Sequence, residues 1–203
     1  MELTTTTFLS IDGVYQGPGG KEEDTSGGFD RGGWLVPHFD DETGAFMVET
    51  FGKVEAFLLG RRTYDIFAAS WPANTDPDDP IASRLNGLRK HVASRTLQDP
   101  EWNNTTVLEG DAAQAIRDLK AQPGGELQVH GSGELIRFLL DNELIDRMNL
   151  LVFPVVVGKG KRLFADNGLD TRMVLEESRT TPSGVTISAF RPSGRLEYGE
   201  ATV

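Results

Sequence analysis

Cysteine is absent from this sequence, and histidine is scarce, with three residues at positions 38, 91 and 130. The first absence removes disulfides, thiolate metal sites and cysteine nucleophiles. The second leaves too few imidazoles for the usual transition-metal sites, so no metal centre is expected. Long hydrophobic runs are also missing: no window approaches the roughly 18 apolar residues that a membrane helix needs. Met1 to Ser10 has neither the basic start nor the apolar centre of a secretory signal, which predicts a cytoplasmic protein. Positive charge is in deficit, with 20 Lys and Arg against 31 Asp and Glu and a net charge of -11. A field of that sign repels polyanions and argues against nucleic-acid or anionic-membrane partners. A phosphorylated small molecule would need local clusters of basic residues, so their positions matter more than their number.

The 203 residues suit one domain spanning 1–203, with an ordinary hydrophobic fraction of 38%. The stretch Val129-His130-Gly131-Ser132-Gly133-Glu134-Leu135 reads as a strand end, a glycine turn and a helix start. Leu127 and Val129 alternate before it, and Leu135, Ile136, Leu139 and Leu140 recur at helical spacing after it. Such a turn presents free N–H groups and a helix dipole to an anion, although a short Gly-x-Gly is as often a mere connection.

Taken in order, Glu2 to Ile11 has a threonine run and strand composition, stopped at Asp12-Gly13. Gly17 to Gly33 is a seventeen-residue stretch rich in Gly, Asp and Glu, either a lid or a disordered insertion. Trp34, Pro37 and Phe39 precede Asp40-Asp41-Glu42 and a helical pattern through Val54. A carboxylate there can act as an acid or orient substrate N–H groups, or simply cap the helix. Ala56 to Gly60 is an apolar strand that runs into a basic helix start, Arg61-Arg62-Thr63-Tyr64. Ile81 to Leu88 reads as a short helix, Lys90 to Ala93 as a strand followed by Ser94-Arg95, and Val107-Leu108 as another strand. Asp111 then caps a helix carrying Ile116 and Leu119. Asp146 to Val157 reads as one long strand bent at Pro154, with an apolar run from Leu150 to Val157. Thr171 to Ser178 and Val185 to Phe190 read as a closing antiparallel pair, and Arg195 to Val203 as a frayed or partly ordered tail. The sum is a mostly parallel sheet with crossover helices, whose ligands bind at the carboxyl ends of the strands.

Gly60-Arg61-Arg62-Thr63-Tyr64, Ser94-Arg95 and His130-Gly131-Ser132-Gly133-Glu134-Leu135, in that order and spacing, resemble the dihydrofolate reductase family. Ser10-Ile11-Asp12-Gly13 and Pro154-Val155-Val156-Val157-Gly158-Lys159-Gly160 narrow the likeness to the branch containing the reductase domain of the riboflavin-pathway deaminase-reductase. The resemblance implies a three-layer α/β fold, with a mostly parallel central sheet, antiparallel C-terminal strands and flanking helices. It further implies an NADPH-dependent reductase of a small pterin-like, pyrimidine-like or other conjugated substrate, acting as a homodimer. Arg61 and Thr63, beside Gly60 and Arg62, would hold the cofactor's 2'-phosphate with Ser94 and Arg95. Gly131, Ser132, Gly133, Glu134 and Leu135 would lie at the pyrophosphate. Asp40, Asp41 and Asp12 are the candidate catalytic carboxylates, Trp34 the candidate substrate contact, and Lys159, Lys161 and Arg162 possible partners of a substrate phosphate. The alternatives are 5-amino-6-(5-phosphoribosylamino)uracil reductase, dihydrofolate reductase proper, an NADPH-binding protein without turnover, or a structural oligomer.

Overall fold

The computed structural model describes residues 1–164, 168 and 170–201. Its strands are β1 (Glu2–Ser10), β2 (Val54–Gly60), β3 (Arg89–Ala93), β4 (Thr105–Val107), β5 (Glu126–His130), β6 (Arg147–Phe153), β7 (Met173–Thr180) and β8 (Thr186–Pro192). Its helices are α1 (Asp41–Gly52), α2 (Arg61–Ser70), α3 (Pro80–Gly87), α4 (Ala112–Lys120) and α5 (Gly133–Asp141). The strands form one sheet in the order β4-β3-β2-β5-β1-β6-β8-β7. β1 to β6 pair in parallel, whereas β8 pairs antiparallel with both β6 and β7. This is the three-layer reductase fold that the motifs imply. Among the described residues, no helix is long and apolar enough to cross a membrane.

Two apolar clusters define the layers. Side chains of α4 and α5, including Ile116, Leu119, Ile136 and Leu139, pack with Leu3, Leu58, Leu127 and Val129 on one face of the sheet. Met47 and Phe51 of α1, Tyr64 of α2 and Leu85 of α3 pack with Phe57, Leu59, Val92 and Phe153 on the other. The period-two alternation of β5 produces this division, sending Leu127 and Val129 one way and Gln128 and His130 the other. The threonine run suits the central strand because β-branched side chains pack well on a pleated surface. Thr6 accepts hydrogen bonds there from Gln128 (3.4 Å) and Asn149 (3.3 Å).

One sequence expectation is revised. β6 ends at Phe153 instead of running bent to Val157, because Pro154 has no N–H to continue the ladder. Residues beyond it remain close to β1, with the Ile11 N–H donating to the Val155 carbonyl at 2.8 Å. β6 is interior, flanked by β1 and β8. The tail from Arg195 takes the partly ordered of its two expected forms: Arg195, the Leu196 N–H and the Tyr198 hydroxyl all donate to Asp170, at 2.9, 3.3 and 3.2 Å. Residues 202 and 203 of that stretch lie outside the described residues.

Lys90 is fully buried, its ammonium donating to the Leu85 and Leu88 carbonyls at 2.8 Å each and lying 4.4 Å from the Trp102 ring. Burial without a carboxylate partner pushes its pKa down to about 8. Between pH 8 and the ordinary lysine value the unfolded chain therefore binds more protons, and stability rises with pH. Denaturant titrations at pH 7.5 and 10 are expected to show the native protein gaining stability relative to Lys90→Met over that interval.

Candidate functional site

Two strand–helix junctions meet at the carboxyl edge of the sheet because β5 is inserted beside β2. Ser132, between β5 and α5, sits in the left-handed region at φ 63°. Its hydroxyl accepts from the Gly60 N–H at 3.0 Å and donates to the Thr63 hydroxyl at 2.6 Å, tying the start of α5 to the start of α2. The approach is tight at Gly60, where a Cβ would lie 3.0 Å from the Ser132 oxygen and push it by a few tenths of an ångström. Gly131, at φ 66°, has nothing nearer to its Cβ position than the Thr63 hydroxyl at 3.8 Å. Within α5 the first backbone bond runs from the Ile136 N–H to the Ser132 carbonyl, so the N–H groups of Gly133, Glu134 and Leu135 precede the ladder. The Leu135 side chain is core, 7% exposed, which leaves only its backbone at the site. Glu134 is exposed in the first turn.

Arg61 opens α2 and pairs with Asp65 through Nε, at 2.8 and 2.9 Å, on a half-exposed surface. It also lines a cleft of about 950 Å³ with Asp65, Tyr64, Leu97 and Trp102. The Ser94 hydroxyl accepts from the Thr96 and Leu97 N–H groups, shaping the turn after β3, and Arg95 is exposed beside it. Arg62 points elsewhere: its Nη1 pairs with Asp24 at 2.8 Å.

That pairing belongs to an ordered loop. Within the largely exposed Gly17–Gly33 stretch Phe29 is an anchor, 3% exposed, as is Gln16 just before it, also 3% exposed. The Gln16 amide donates to the Asp24 and Ser26 carbonyls, and its oxygen accepts the Lys161 N–H at 3.0 Å. Lys161 Nζ donates to Asp24 at 2.9 Å and to the Ser26 hydroxyl at 2.7 Å. Burial works to raise the Asp24 carboxyl, but hydrogen bonds from Ser26 and Lys161 outweigh it and bring the pKa to about 2. The Tyr15 ring lies against Gly133 at the mouth of α5, where a Cβ would come within 2.4 Å of it. Lys159 is paired with Asp30 and Arg162 with Asp12, so all three expected substrate-phosphate contacts are engaged within the protein.

The expected carboxylates are likewise occupied. Asp12 accepts from the Ser10 hydroxyl (2.7 Å) and from the N–H groups of Val157 and Gly158 (2.9 Å each). Burial would raise its pKa, yet these bonds hold it at about 2. Asp40 caps α1, accepting from the Thr43 N–H (2.9 Å) and hydroxyl (2.7 Å), while its other oxygen accepts the Ser183 N–H at 3.0 Å. Hydrogen bonds from Thr43, Thr181 and Ser183 overcome its desolvation and keep it ionised below the usual range. Neither group is free to take a substrate N–H without giving up one of these bonds. Asp41 is an exposed first-turn residue. Trp34 donates from its indole to the Gln16 carbonyl at 2.9 Å and packs edge-on against Phe153, so it braces the loop. Among the described residues no group of three or more His, Asp or Glu is placed to hold a metal.

Beside the joined junctions lies an aromatic enclosure that the motifs did not single out. His130 is ringed by Phe8, Phe51 and Phe67 at centroid distances of 5.5, 5.6 and 5.8 Å, and Phe8 also meets Phe39 and Phe153. Burial pushes the His130 pKa down to about 4. These residues are scattered over 150 positions, and only the alternation of β5 pointed to His130 as a member of that face.

A sequence-family comparison matches residues 2–187 to the RibD C-terminal domain. The chain belongs to the RibD C-terminal domain family. YyaP of Bacillus subtilis strain 168, an uncharacterized protein, is 25% identical over 188 residues, 92% of each chain. A Shewanella sp. PV-4 protein assigned to riboflavin biosynthesis superposes with a TM-score of 0.71 at 22% identity, over 95% of this chain and 99% of that one. A Thermotoga maritima diaminohydroxyphosphoribosylaminopyrimidine deaminase/5-amino-6-(5-phosphoribosylamino)uracil reductase gives a TM-score of 0.62 at 14% identity, over 95% of this chain and 56% of that one. The RibD C-terminal domain match spans both junctions, the loop and the aromatic enclosure.

Three measurements check this geometry. Gly133→Ala should lower stability by about 2 kcal/mol in denaturant, and most of that cost should disappear in a Tyr15→Ala background, where the obstructing ring is gone. Asp24→Asn, which weakens the contacts to Arg62 and Lys161, should speed limited proteolysis within residues 17–33. His130 has a lowered folded pKa, so its stabilisation is complete above about pH 6.5 and is lost as pH falls toward 4, at about 1.4 kcal/mol per pH unit. His130→Phe should flatten that part of the acid-stability profile.

Proposed function

We propose that this protein is an NADPH-dependent reductase of a small, planar, pyrimidine-like or otherwise conjugated substrate. The observation that carries the reading is the Ser132 hydroxyl joining the starts of α2 and α5, within a chain that belongs to the RibD C-terminal domain family. Two adjacent helix N-termini suit a diphosphate, and the open space at Gly131 admits close backbone approach. The residues present thus fit a dinucleotide. Arg61, with Ser94 and Arg95, would hold a 2'-phosphate, because a guanidinium recognises phosphate in a bidentate manner. Thr63, Ser132 and Gly133 would flank the pyrophosphate, with Tyr15 beside it. The bound cofactor supplies the hydride. The chain supplies placement and exclusion of water: Phe8, Phe67 and His130 form walls for a flat ring, and the ordered loop closes over the carboxyl edge of the sheet.

A homodimer acting in the cytoplasm remains our reading. Ile11 and Val156, 63% and 70% exposed at the same edge, are apolar surface available for such contact. A second reading, NADPH binding without turnover, is favoured by one observation: Asp12 and Asp40 are both committed to structural hydrogen bonds.

Calorimetric titration tests the proposal. NADPH is expected to bind at micromolar or tighter dissociation constants, and NADH at least about ten-fold more weakly, a difference of about 1.4 kcal/mol. Arg61→Ala should remove most of that preference while leaving NADH binding unchanged; equal loss for both nucleotides would refute the 2'-phosphate role. Steady-state NADPH oxidation with pyrimidine and pterin substrates separates turnover from binding alone.

A further inference from the structure

His130 is the last residue of β5 and projects to the face that carries α1 and α2. Its ring is held by Phe8 from β1, Phe51 from α1 and Phe67 from α2, in two edge-on contacts and one tilted contact. Nδ1 is buried and has no hydrogen-bond partner, whereas the residue as a whole keeps part of its surface open. A neutral imidazole carries one proton, at one nitrogen only. Placing it on Nδ1 would strand a donor among hydrocarbon rings, whereas on Nε2 it meets the open side. The three phenyl walls present no titratable group, and burial is the one cause of the lowered pKa, so the ring is uncharged at neutral pH. An uncharged imidazole of this kind is a fixed donor and a poor acid.

We propose that His130 is a specificity-determining residue that donates a hydrogen bond from Nε2–H to an acceptor, a carbonyl oxygen or ring nitrogen, on the planar substrate seated between α1 and α2. This rests on the reductase reading above and adds to it the group that reads the substrate's edge. The aromatic walls accept any flat ring of suitable size, since their contact is not directional. A single buried donor discriminates instead, because a ring lacking the acceptor leaves the N–H unpaired. The rigid enclosure also fixes χ2, so the donor direction is set before the ligand arrives.

The test has two arms. Protein labelled with ¹⁵N-histidine, with His130 assigned by difference from His130→Gln, is expected to show a neutral Nε2–H tautomer from pH 5.5 to 8; an Nδ1–H tautomer or a cationic ring at pH 7 would overturn the proposal. In the second arm the protein saturated with NADP⁺ is titrated with uracil and with pyrimidine, which lacks the carbonyl oxygens. The native protein is expected to prefer uracil, and His130→Phe, which keeps the aromatic volume but not the donor, to lose that preference by about ten-fold. His130→Gln, whose amide nitrogen reaches as far as Nε2, should restore part of it. NADP⁺ affinity should be the same in all three. Absence of a uracil preference in the native protein, or a preference unchanged in His130→Phe, would overturn the inference. Failure of the native protein to bind NADP⁺ or NADPH would instead overturn the cofactor reading, and the tautomer measurement would still judge His130 directly.

Discussion

The position of β5 between β2 and β1 is the constraint on which the rest depends. β2 and β5 each end at the same edge of the sheet and each feed a helix, so their turns come into direct contact at Gly60 and Ser132. Gly60 makes room, Gly131 supplies a positive φ, and Ser132, in a left-handed conformation, spends its one hydroxyl on both junctions. A conformation that is strained for serine persists because the surrounding contacts over-determine it. Such strain gathers where a backbone must present its N–H groups outward, and that is the property a diphosphate site requires.

Around this core the 11–35 and 155–163 segments hold each other by a small set of directional bonds. Asp12 fastens the start of one to Val157 and Gly158 of the other, and Gln16 fastens its middle to Lys161. Asp24 then draws in Lys161 and the first turn of α2 through Arg62. The basic residues that an acidic protein would place for anions are therefore partly neutralised from within. Of the arginines expected at the 2'-phosphate, Arg61 is tied through Nε to the exposed Asp65, and Arg95 is exposed.

Much of the fold was legible in the residues, because its signals are local. Alternation marked β5 and β8, Asp111 marked a helix start by capping, and glycine pairs marked the junctions. The site was legible in its backbone and less so in its side chains. Ser132 was visible as part of a turn, but its bond to Thr63 spans 69 positions. Asp40 reads equally well as a cap or a catalyst, and only the Ser183 N–H on its second oxygen shows it bridging to the β7–β8 hairpin. The aromatic enclosure had no linear signature at all, since its members come from β1, α1, α2 and β5. The strand through Pro154 was overextended because an apolar run says nothing about where a ladder loses its donor.

The enclosure has a consequence for how such proteins diversify. Phe51 touches both His130 and Phe57, and Phe8 touches both His130 and Phe153, while Phe57 and Phe153 are wholly buried. The wall that would select a ligand is thus the outer layer of the folding core, with no intervening shell. A substitution that reshapes the wall for a new ligand also removes packing from the centre of the protein, so changes of substrate in this lineage have to be preceded or accompanied by compensating volume elsewhere. Divergence of specificity here is limited by thermodynamic reserve, and variants that begin with surplus stability are the ones able to explore it.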